Sequence, residues 1–60
     1  MIKRETPSNL QNYLMVDSAT SYILHSNGFI PKYINESGIY YIKNEKIVNF
    51  MRKEGLKCKN

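Results

Sequence analysis

Apolar residues fall along this chain in short runs, and the polar residues between them are those that start and stop secondary structure. The segment Leu10 to Val16 (LQNYLMV) ends in four apolar positions bounded by Asp17 and Ser18, which predicts a first strand. Asp17 or Ser18 can accept a hydrogen bond from a free amide of the following turn, so a helix is expected from there to about Asn27. A spacing of three and four places Ala19, Tyr22, Ile23 and Ser26 on one face, taken as the inner stripe, with Thr20, Ser21 and His25 outward. Gly28 supplies the left-handed position that ends a helix, and Phe29 can fold back onto its last turn.

The second half repeats this logic. Phe29 to Asn35 alternates as a second strand, which Pro31 confines to a sheet edge because proline donates no ladder hydrogen bond. Asn35-Glu36-Ser37-Gly38 carries turn chemistry, so an antiparallel hairpin into a third strand, Ile39 to Lys43, is expected. In that strand Ile39, Tyr41 and Lys43 share one face and Tyr40 and Ile42 the other, so one tyrosine must look away from the helices. Asn44 caps a second helix that runs to about Glu54, with Ile47, Val48 and Met51 inward and Phe50 on the shoulder. Gly55 stops it, and Leu56 folds back.

The resulting order, strand-helix-strand-strand-helix, defines an α+β fold, a three-stranded sheet of order 2-3-1 with both helices on one face. Residues 1–9 are expected to be a flexible N-terminal segment, 10–56 the single domain and 57–60 a frayed basic tail. The second face of the sheet, holding Tyr40, Ile42 and either Leu14 and Val16 or their neighbours one residue over, is expected to be bare and to meet another surface.

Composition narrows the function classes. Sixty residues make one domain with a thin core, since a chain this short buries only about 60% of its unfolded surface. Apolar residues at 42% with five tyrosines suffice for a folded core. A single cysteine, Cys58, excludes an internal disulfide, and the lone His25 has no metal-ligand spacing to any partner. The longest apolar runs, Tyr13 to Val16 and Ile39 to Ile42, have four residues, so neither a signal segment nor a membrane span is expected and the compartment is taken as the cytoplasm. Asn35-Glu36-Ser37 spells a glycosylation sequon, but turn chemistry accounts for it better.

Catalysis is not expected. A nucleophile needs a base within hydrogen-bond reach, and the one candidate pair, Ser21 with His25 at helical spacing, is of the kind any polar helix face produces. Gly28, Gly38 and Gly55 are separate stops, not a phosphate loop. No cofactor, metal or small-molecule substrate is implied.

From Ser18 onward the run SATSYILHSNGF, the aromatic strand GIYYIKN and a short polar-capped helix resemble a family of short proteins of phages and Gram-positive-type bacteria, a domain of unknown function. The resemblance covers about residues 10–56 and implies a similar β-α-β-β-α fold and a mobile-element background, with no catalytic residues to carry over. A second likeness, to winged-helix excisionases through Gly28-Phe29-Ile30-Pro31 and Phe50-Met51, fails on spacing. Only one helix fits between Ala19 and Pro31, where those proteins place a second, recognition helix.

Two functional readings follow. The preferred one is a non-enzymatic protein-interaction module, a homodimer that could inhibit or redirect a host defence or replication protein, using Tyr33, Tyr40, Tyr41, Ile42 and Lys43. The alternative starts from the net charge of +4 and its concentration after position 42. It is a small nucleic-acid binder in which Lys46, Arg52, Lys53 and Lys57 contact phosphates, while Tyr33, Tyr40 and Tyr41 stack on bases with the interleaved Lys32 and Lys43 on phosphates.

Overall fold

The computed structural model describes residues 2–59. Met1 and Asn60, parts of the two segments expected to be loose, lie outside the described residues. Strand β1 is Tyr13–Val16, helix α1 Ser18–Ser26, strand β2 Tyr33–Asn35, strand β3 Gly38–Ile42 and helix α2 Glu45–Glu54. The three strands pair antiparallel, with β3 between β1 and β2, so the expected 2-3-1 sheet is the observed one. Leu14 lies opposite Tyr41, and Val16 opposite Ile39. These four residues share the face that packs on Leu24 of α1 and on Ile47 and Met51 of α2.

Caps and stops form where side-chain chemistry places them. Asp17 accepts from the Thr20 amide at 2.9 Å, and Asn44 Oδ1 from the Ile47 amide at 2.9 Å. Both helices end in the same pair of backbone bonds. Gly28 donates to His25 and Phe29 to Leu24, while Gly55 donates to Arg52 and Leu56 to Met51. Positive φ values of 92° at Gly28 and 71° at Gly55 make this exit possible. In the hairpin, Asn35 Oδ1 accepts from the amides of Ser37 and Gly38, so its side chain builds the turn.

Several expectations require correction, the bounds of the third strand, Gly38–Ile42 rather than Ile39 to Lys43, among them. Leu10–Asn12 forms a 3-10 turn, closed by Asn12 N–H on the Asn9 carbonyl at 3.0 Å, so β1 starts three residues later than the apolar pattern suggests. Strand β2 is only Tyr33–Asn35, because the Phe29 amide is committed to the α1 exit and Pro31 has none to give. Most consequentially, α1 is rotated from the expected phase. Ser21 and Leu24 are its buried residues, whereas Ala19, Tyr22, Ile23 and Ser26 are exposed. The Ser21 hydroxyl, 2.8 Å from the Tyr41 hydroxyl, and the fully buried Leu24 hold this rotation.

The sheet is flanked by the chain's own ends. Lys3 bridges β2 in parallel, donating to Lys32 and accepting from the Ile34 amide, and Lys59 donates to the Met15 carbonyl on β1. Such contacts occupy edges that would otherwise offer unpaired backbone groups. Between Thr6, bonded to Asn35, and Tyr13 the chain crosses the sheet face opposite the helices. Pro7 is buried along this path, and Leu10 borders a hollow with Met15 and Tyr40. The second face is therefore partly covered by residues 6–12, not bare.

Candidate interaction surfaces

Register fixes which expected partner-binding residues are accessible. Tyr41 turns toward the helices, where its ring is 1% exposed and its hydroxyl meets Ser21 Oγ at 2.8 Å and donates to the Ser21 carbonyl at 3.2 Å. Burial pushes the phenol pKa up, opposed by the Ser21 bond. Tyr40 is on the opposite face yet only 3% exposed, and Asn35 Nδ2 donates to its hydroxyl at 3.3 Å. Neither tyrosine offers its ring to a partner in this conformation.

Tyr33, Ile42 and Lys43 remain accessible at the end of the sheet far from the hairpin turn. Tyr33 stacks edge-on against Tyr13 with centroids 5.4 Å apart and planes at 80°, and Tyr13 lies opposite Ile42, which is 48% exposed. Tyr13, absent from the expected set, is thus the ring joining Tyr33 to Ile42. Its phenol pKa is raised, first by desolvation against the sheet and then by the neighbouring Tyr33 hydroxyl, with Lys32 opposing.

A second set of exposed apolar residues lies outside the expected site, two of them, Tyr22 and Ile23, on the helix stripe expected to face the core. Tyr22 is 75% exposed, Ile23 is exposed beside it on α1, and Ile30, just past the helix exit, is 74% exposed. From Ser18 to Pro31 there is no Asp, Glu, Lys or Arg. Large apolar side chains on an uncharged helix in a chain of net charge +4 are the pattern of a contact surface.

The basic residues of the nucleic-acid reading are all exposed. Lys46 and Lys53 share a stripe of α2, seven residues and about 10 Å apart. Arg52 and Lys57 border a different feature, a hollow of 370 Å³ floored by Leu14, Val48, Met51 and Leu56, with Cys58 at its side.

Of the expected helix pair, Ser21 is buried with its hydroxyl bonded to Tyr41, while His25 is exposed. Among the described residues no three His, Cys, Asp or Glu side chains stand close enough to hold a metal ion, and no helix is long and apolar enough to cross a membrane. No family model, curated protein or solved structure matches this chain.

Proposed function

We propose that the chain is a non-enzymatic protein-interaction module that self-associates through the outer face of α1. One observation carries this reading: Tyr22, Ile23 and Ile30 stand in water on a charge-free stretch of a basic chain. Two copies approaching through any lysine-rich surface repel one another, whereas the Ser18 to Pro31 stretch adds no like-charge cost. A two-fold axis would place each Tyr22 against the partner's stripe. The phage-type background suggested by the sequence makes a host protein the natural further target of such a module.

A nine-residue helix is about 14 Å long, so its face covers only a fraction of the ~800 Å² per partner of a standard interface. Self-association is therefore weak and must be sought at high concentration. Light scattering behind size-exclusion chromatography at several hundred micromolar should show mass rising toward two chains, and Tyr22→Glu should return it to one. A constant one-chain mass in the unmodified protein at that concentration removes the proposal.

The second reading, nucleic-acid binding, is favoured by Lys46 and Lys53 on one exposed stripe of α2. It predicts low-salt retention on a DNA column that Lys46→Glu with Lys53→Glu abolishes.

A further inference from the structure

The hollow at the end of α2 is separate from the α1 surface and differs from it in chemistry. Its floor is aliphatic, made of Leu14 from β1, Val48 and Met51 from α2, and Leu56 from the helix exit. Arg52 and Lys57 stand at its rim. They are the only charged side chains among the described residues that line it, with no Asp or Glu beside them, so the rim is positive. An apolar floor inside a cationic rim selects a ligand with both an apolar side chain and negative charge beside it.

We infer that this hollow is a docking site for an acidic peptide segment of a partner protein, with one large aliphatic or aromatic side chain seated on Leu14, Val48, Met51 and Leu56 and flanking carboxylates paired with Arg52 and Lys57. Charge complementarity chooses the occupant. The hollow is shallow and open, whereas pockets for free small molecules enclose most of their ligand. An extended chain brings its own cover, and anchors a single side chain in such a depression. No aromatic residue lines the hollow, so a base has nothing to stack on, and phosphates alone would leave the aliphatic floor unused. Carboxylates are matched by the planar fork of the Arg52 guanidinium.

The test titrates a labelled Glu-Asp-Glu-Leu-Phe-Asp-Glu peptide into the isotope-labelled full chain, followed by methyl and amide NMR. Saturable shifts are expected at Val48, Met51, Leu56 and Arg52, weakening about tenfold or more in Arg52→Glu with Lys57→Glu, two exposed positions whose reversal leaves the core intact. The same peptide with Ser in place of Leu and Phe should lose most of its affinity. Tyr22→Glu should bind the peptide as the unmodified chain does, so failure of the self-association reading and failure of this one are distinguishable. The inference is overturned by absence of saturable binding, by equal binding of the Ser peptide, by shifts away from the hollow, or by an oligothymidylate that moves these residues at lower concentration.

Discussion

The bond between Ser21 and Tyr41 sets the rotation of α1, and its worth can be worked out before it is measured. Both groups are buried, with the hydroxyl oxygens 2.8 Å apart. Tyr41→Phe removes one partner and leaves Ser21 Oγ in the core without it, a cost of about 1–3 kcal/mol. Ser21→Ala is milder. Tyr41 keeps its bond to the Ser21 backbone carbonyl at 3.2 Å, and alanine is the better helix former, so roughly 0.5–1 kcal/mol is expected. The double variant replaces both polar groups by apolar ones and should cost little more than Ser21→Ala alone. The coupling energy is then about 1–3 kcal/mol, nearly the whole cost of Tyr41→Phe. In a domain this small each kcal/mol moves the melting temperature by about 4–8 °C, so at about 2 kcal/mol, the middle of its range, Tyr41→Phe should melt ~8–16 °C below the unmodified chain, with much of that recovered on adding Ser21→Ala. Circular-dichroism melts and urea titrations of the four proteins at neutral pH decide it. Simple additivity of the two single effects would refute the account of how α1 is oriented.

Two further outcomes follow from the same geometry. Gly38→Ala and Gly55→Ala should both destabilise, for different reasons. A Cβ at Gly38 would stand 2.8 Å from Met15 Cγ and 2.9 Å from the Val16 carbonyl, so β1 must shift, at about 2–3 kcal/mol, whereas at Gly55 nothing lies within 4 Å and only the left-handed backbone is penalised, by about 1 kcal/mol; urea midpoints should rank them in that order. Stability should fall at both pH extremes. The raised pKa values of Tyr41 and Tyr13 give stability that is whole below 10.0 and lost as pH rises past it. The lowered Asp17 pKa, held down first by the Thr20 amide, gives stability present above 3.8 and lost as pH falls through it. Tyr41→Phe should flatten the alkaline limb and Asp17→Asn the acid one, as read from melting temperature against pH.

What the sequence made legible was whatever local chemistry decides. The caps at Asp17 and Asn44, the stops at Gly28 and Gly55, the Asn35 turn and the alternation of β3 each depend on a few adjacent residues, and together they leave few ways to join three strands. The rotation of α1 depends on something else. Its sequence supports two stripes, one through Tyr22 and Ile23 and one through Ser21 and Leu24, and apolar content favours the first. The second wins because Tyr41, arriving from β3, needs a buried partner for its hydroxyl, a demand invisible within α1 itself. Coverage of the second face was equally out of reach. Thr6 and Pro7 carry no periodic signal, and their place depends on Asn35, twenty-nine residues beyond Thr6. As a result the expected site was half displaced: Tyr33, Ile42 and Lys43 remain at the surface, while Tyr40 and Tyr41 were drawn into the packing.

The rotation also links stability to association. By turning Tyr22 and Ile23 outward, the chain gives up apolar burial that a sixty-residue domain can scarcely spare, and a second copy would restore it. Anything that binds only the folded state raises stability by mass action. For a folded dimer in equilibrium with unfolded monomers, each tenfold rise in protein concentration is worth about 0.7 kcal/mol per protomer, half of the ~1.4 kcal/mol that corresponds to a factor of ten. The melting temperature should then climb by about 3–5 °C per decade once concentration passes the dimer dissociation constant. Tyr22→Glu should abolish this climb while matching the unmodified chain at the dilute end, since an exposed side chain contributes little to the monomer's own stability. Calorimetry spanning two decades of concentration up to the millimolar range supplies the measurement. A melting temperature independent of concentration in both proteins would mean that α1 keeps its apolar face in water without a partner of its own kind.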